Sequence, residues 1–121
     1  MMRLILLAQE GEYVRIESEG LATRDGADDP DSRFDAIGGD AIYTRKVLLD
    51  LSKCHYVDSM AIGWLLSCHR KFSERGGALV VHSPSPIVLQ ILKLMRMELV
   101  LHLAATEELA RELARGAAHV D

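Results

Sequence analysis

Two adjoining stretches decide the fold: Lys46-Val47-Leu48-Leu49-Asp50-Leu51-Ser52, and Tyr56-Val57-Asp58-Ser59-Met60-Ala61-Ile62-Gly63. The first is a near-continuous apolar run after a basic pair, the pattern of a central strand buried on both faces. The second opens a helix at Asp58-Ser59, and either side chain can cap it. Ala61, Leu65, Cys68 and Phe72 then fall at i, i+4, i+7 and i+11, one stripe of a 3.6-residue period. Ile62 and His69 flank that stripe, while Gly63, Ser67, Arg70 and Lys71 fall mostly opposite. Gly76-Gly77 stops the helix, with Arg75 near its negative end.

The same alternation continues downstream. Ala78-Leu79-Val80-Val81-His82 predicts a second buried strand. Ser85-Pro86 predicts a helix start, with Ser85 as cap and Pro86 where a missing N–H costs nothing. That helix carries apolar residues from Ile87 to Met97, interrupted only by Gln90, Lys93 and Arg96, so its apolar arc is wider than one core-facing stripe requires. Leu99 to Leu103 reads as a third strand. Thr106-Glu107-Glu108 opens a last helix, with acids in its positive first turn, Glu107 paired to Arg111, and Leu109 and Leu113 facing inward. Strand–helix alternation of this kind implies parallel strands with right-handed crossovers.

Upstream, residues 3–8 and 13–18 form two extended runs joined by Glu10-Gly11-Glu12, a hairpin with Val14 and Ile16 inward. Residues 19–41 are rich in Gly and Asp and read as a loop, with one short helix around Asp31 to Ile37 that turns Phe34 and Ile37 inward. The expected architecture is a single α/β domain over residues 1–121. It has a mixed sheet with an N-terminal hairpin and parallel βαβ units, and helices packed on one face.

Composition narrows the function. With 121 residues there is room for one domain, and 49% apolar residues suffice for a core. A formal net charge of −4 speaks against a basic phosphate-binding face, so no nucleic-acid partner is expected. Two cysteines make no disulfide scaffold and fit a reducing compartment. The apolar run at residues 4–7 is too short for a signal segment and lacks a small-residue cleavage site. No other run nears the roughly 18–20 residues of a membrane span, so a cytoplasmic protein is expected.

The motifs Leu49-Asp50-Leu51-Ser52 and Asp58-Ser59-Met60-Ala61-Ile62-Gly63, with Gly76-Gly77, a strand and Ser85-Pro86 after them, resemble a STAS domain of the anti-sigma-factor antagonist type. The resemblance covers residues 46–115 well and the hairpin loosely. It implies that Ser59 is the serine phosphorylated by a partner kinase that is also the anti-sigma factor, and that Asp58 aids recognition. A phosphatase would reverse the modification. Asp58, Ser59 and Met60 would lie at the partner interface, and topology puts Ser83 and Ser85 in the neighbouring loop. Met60 stands where the family has a second Ser or Thr, and Ala61 where it has Gly; neither removes the acceptor hydroxyl, but both change the surface a kinase reads. The family's long first helix is largely missing from residues 19–41, and its acidic residue before that helix cannot be assigned. Stand-alone STAS domains also serve as accessory subunits of lipid-transport ATPases, and the apolar helix from Pro86 fits that alternative. The same arc would serve a homodimer.

Physical chemistry permits a switch at Ser59 independently of the family, although from the residues alone Ser59, with Asp58 as the alternative, reads as a helix cap. A helix N-terminus offers unpaired N–H groups and a positive dipole end, and a phosphate adds about −1.5 to −2 charge beside Asp58. Catalytic and metal patterns are weaker. No serine or histidine carries a nucleophile-elbow pattern, and no catalytic residue is expected. The pairs Cys54-His55 and Cys68-His69 match no zinc spacing. Asp29 and Asp31 begin a calcium-like alternation that Arg33 breaks. His82 and His102 read as core histidines. No phosphate-cradling glycine loop occurs, so no cofactor is expected.

Overall fold

A computed structural model describes residues 3–19 and 32–117. The chain forms β1 (Arg3–Glu10), β2 (Tyr13–Glu19), α1 (Ser32–Gly38), a 3-10 turn (Asp40–Thr44), β3 (Lys46–Asp50) and α2 (Ser59–Glu74). There follow β4 (Ala78–His82), α3 (Pro86–Leu94), a second 3-10 turn (Met97–Leu99), β5 (His102–Ala104) and α4 (Glu107–Ala117). The sheet order is β1-β2-β3-β4-β5. β1 and β2 run antiparallel, and the remaining pairs are parallel. This is the mixed sheet expected from the sequence.

The hairpin closes at Gly11-Glu12, where Gly11 takes φ 60°, a backbone shape that needs no Cβ. Val14 and Ile16 point inward, as their alternation requires. Along β3 and β4, side chains alternate between faces. Val47, Leu49, Leu79 and Val81 feed the larger core with Leu65, Phe72, Val88 and Leu92, under α1, α2 and α3. Leu48 and Val80 feed the other face, which Ala104, Ala110 and Ala114 cover. The expectation of helices on one face is therefore corrected for α4. A parallel sheet has two apolar faces, and burying the second requires a helix there.

That second layer corrects two further residues. Leu109 and Leu113 face solvent, and Ala110 and Ala114 face the sheet. Small side chains let α4 lie close on the strands. The Arg15 Nε to Glu107 Oε1 bond of 2.7 Å and the Arg111–Glu10 pair fix its rotation. Glu107 also meets Arg111 at 3.7 Å, one turn on.

α1 occupies the short helical segment expected near residues 31–37. Phe34 is fully buried, stacked on Trp64 at 5.5 Å and edge-on to Phe72 at 5.3 Å. Ile37 packs against the same core. Residues 20–31, with the Asp29 and Asp31 pattern, lie outside the described residues. Gly77 permits a close approach after α2. A Cβ there would stand 2.4 Å from the carbonyl oxygens of Tyr43 and Arg45.

β5 is shorter than its apolar run. Arg96 adopts φ 57° and turns the chain out of α3, and Met97–Leu99 form a 3-10 turn that leaves Leu99 exposed. Pairing with β4 covers only residues 102–104. Periodicity alone does not separate a short strand from an apolar turn.

Candidate functional site

The residues between β3 and α2 form a tied-down loop. The Asp50 Oδ1 accepts from the Ser52 N–H at 2.8 Å, and the Leu51 N–H donates to the His82 carbonyl at 2.9 Å. The buried Cys54 thiol donates to the Ser18 carbonyl at 3.3 Å. Val57 plugs into the core, while Tyr56 on one side of the helix start and Met60 on the other are more than half exposed.

Asp58 is the N-cap of α2. Its backbone is extended and its Oδ1 accepts from the Ala61 N–H at 2.8 Å. Of the two candidate caps, Asp58 takes the position because a cap must sit just outside the helix with its side chain reaching back over the first turn. Ser59 is then the first helical residue, and its side chain is exposed. The N–H groups of Ser59 and Met60 have no intrahelical acceptor, as at any helix start. An anion on the Ser59 hydroxyl would meet these donors and the positive dipole end, together with the Asp58 carboxylate.

The β4–α3 loop holds the other two candidates. Ser85 stands at the N-cap position of α3, yet makes no side-chain cap bond. Its hydroxyl donates instead to the Cys54 carbonyl at 3.0 Å. This bond staples the start of α3 to the loop leading into α2. Ser83 has φ 54°, its N–H donates to the Ala104 carbonyl, and its hydroxyl lies 2.9 Å from His82 Nδ1. It therefore turns toward β5. The structure brings Asp58, Ser59 and Met60 together on one helix end and ties Ser85 to the loop behind them. Ser83 is engaged with His82.

His82 also has Glu107 Oε1 at 4.0 Å from its Nε2, so serine, imidazole and carboxylate are neighbours here. His82 is 2% exposed, and Glu107 is already bonded to Arg15. Burial pushes the His82 pKa down against the opposing pull of Asp50 and Glu107. Cys54 and Cys68 are thiols buried in separate positions, and no cluster of three or more metal-ligating side chains occurs among the described residues. No helix among them is long and apolar enough to cross a membrane.

Sequence reasoning missed the exposed Tyr56 beside the helix start. Its signal was present: Cys54 and Val57 are apolar at a spacing of three, and they turn the residues between them outward.

Three solved structures share this architecture. A candidate anti-sigma factor antagonist from Thermotoga maritima aligns with a TM-score of 0.71 at 20% identity, covering 94% of each chain. SpoIIAA, an anti-sigma factor antagonist in its unphosphorylated form, aligns with a TM-score of 0.65 at 22% identity, covering 93% of this chain and 96% of its own. An anti-sigma-factor antagonist (STAS) domain protein from Planctomyces limnophilus gives 0.67 at 20%, covering 97% of each. These likenesses are of fold. No curated protein matches the chain in sequence. The family model of the STAS domain matches residues 3–110, which take in the whole sheet, α1 to α3 and the first turn of α4. With the sheet and the Asp58-Ser59 helix start inside that match, the chain belongs to the STAS domain family.

Proposed function

We propose that this chain is a protein-binding regulatory module, an anti-sigma factor antagonist switched by phosphorylation of Ser59. The observation that carries the reading is the division of labour at the start of α2. Asp58 supplies the cap, so the Ser59 hydroxyl is exposed and has no structural task there. In the unphosphorylated form, Asp58, Ser59 and Met60 dock on a partner that is both anti-sigma factor and serine kinase. Ser85 and Ser83 hold or border the same edge. A phosphate on Ser59 sets two negative groups side by side, and a partner face shaped for a neutral hydroxyl loses contact through repulsion and desolvation. A phosphatase restores the binding form. The 121 residues act as one such module, in the cytoplasm, as substrate and not as enzyme.

The test is the phosphorylation state of tagged protein recovered from its own cells, wild type beside Ser59→Ala, with partners identified in the same pull-down. One phosphoryl group on the wild type and none on the variant, with a kinase-fold ATPase recovered, supports the switch. Unmodified protein under every growth condition, with one ATPase subunit of a lipid-transport complex bound to both forms, would overturn it in favour of an accessory subunit.

A further inference from the structure

α3 and α4 lie on opposite faces of the sheet and expose complementary surfaces. On α3, only Val88 and Leu92 are buried. The side turned to solvent carries a shallow apolar depression lined by Pro86, Leu89, Gln90, Lys93 and Leu94. Leu94 is 76% exposed, and Leu99, just beyond the helix, 73%. Lys93 lines the depression, and the exposed charges that follow it along the segment to Leu99 are Arg96 and Glu98, in a chain of net charge −4. On α4, Leu109 and Leu113 stand one turn apart, 47% and 39% exposed. Glu108 and Glu112 run beside them as an acidic rail, with Arg115 at its far end.

We infer that these are the two halves of one contact between copies of this chain: the Leu109–Leu113 ridge of one copy seats in the α3 depression of the next, its acidic rail against Lys93 and Arg96. Charge selects this pairing. An α3-to-α3 contact would face two patches with a net positive charge (Lys93 and Arg96 against Glu98), and an α4-to-α4 contact two with a net negative charge (Glu108 and Glu112 against Arg115). Like charges placed face to face cost binding energy. The remaining pairing joins two different surfaces, so it is heterologous. Each copy keeps one free α3 and one free α4, and association continues head to tail. A single helix seated on another stays below the ~1,200 Å² of a stable interface, so the association is weak and reversible. The rim charges are exposed, and salt weakens them. The inference does not rest on Ser59, and Ser59→Ala associates as wild type does.

Sedimentation velocity from low micromolar to millimolar protein in low salt tests it. The wild-type mass is expected to rise with concentration above 13.4 kDa and to fall back when salt is added. Leu94→Asp and Leu113→Asp each stay monomeric. Mixed one to one, they form a species of twice the monomer mass and nothing larger, because each supplies the surface that the other lacks. Lys93→Glu and Glu112→Lys repeat the pattern without changing an apolar residue: each alone weakens association, and the mixture recovers it. A wild type that stays at monomer mass at millimolar concentration overturns the inference. So does association abolished by Leu94→Asp and untouched by Leu113→Asp, which would mark a symmetric α3 dimer.

Discussion

Asp58→Ala separates the cap from the acceptor at the start of α2. The Asp58 Oδ1 accepts from the N–H of the buried Ala61 at 2.8 Å, and the variant leaves that donor without its partner. Loss of an N-cap of this kind costs about 1 kcal/mol. Loss of a negative charge at the positive helix end adds about 0.3–1 kcal/mol. At roughly 2.1 cal/mol/K per residue of unfolding entropy, a chain of 121 residues loses about 4 °C of Tm per kcal/mol. Asp58→Ala should therefore lower Tm by about 5–8 °C. Asp58→Asn keeps an acceptor oxygen and loses only the charge, so its drop should be about 1–4 °C. Ser59→Ala removes an exposed hydroxyl that caps nothing, and its effect should stay within about 2 °C. Thermal melts by circular dichroism at pH 7 read all three. A Ser59→Ala drop as large as that of Asp58→Ala would refute the reasoning, because the Ser59 hydroxyl would then be held by the helix and not free to accept a phosphoryl group.

Three other outcomes follow from the packing and the buried rings. Gly77→Ala forces a methyl group to within 2.4 Å of two backbone carbonyl oxygens that cannot swing away. It should cost at least about 3 kcal/mol, seen as a Tm loss above about 10 °C, and a loss under 2 °C would contradict the close approach. Phe34→Ala empties the site between Trp64 and Phe72, with an expected cost of about 3–5 kcal/mol in urea unfolding and a changed Trp64 emission. An unchanged midpoint and emission would show α1 to be dispensable. His69, His82 and His102 all titrate below the ordinary value of 6.5, with burial the largest cause in each. The His102 ring, 5.0 Å away, further disfavours a charge on His69. The unfolded chain takes these protons first, so their contribution is whole above pH 6.5 and is lost as pH falls through the depressed folded values. The limiting slope is about 1.4 kcal/mol per pH unit for each proton taken up. Tm should be level from pH 8 to 7 and lower by pH 5.5; a flat profile down to pH 5.5 would exclude it.

Much of the site was legible because its signals are local. The Ala61, Leu65, Cys68 and Phe72 stripe fixes which side of α2 is buried, and that side leaves Ser59 and Met60 outside. The choice between Asp58 and Ser59 as cap was not legible, since both types cap well and only the backbone turn assigns the position. Ser85 has the sequence of a cap, and its hydroxyl goes to the Cys54 carbonyl, a partner 31 residues away that no spacing encodes.

By itself the sequence determined the alternation of strands and helices, the hairpin, the buried strands β3 and β4, and the motif that marks the family. These follow from periodicity, turn residues and caps, which act within a few residues of each other. The tertiary structure decided which face each helix covers. In α4, Leu109 and Leu113 were the better core candidates by hydrophobicity, yet Ala110 and Ala114 lie inward, because Arg15 and Glu10 hold Glu107 and Arg111 from the hairpin side. A helix turns to the face that satisfies its long-range ion pairs and close packing together, and those partners lie some 90 to 100 residues away along the chain.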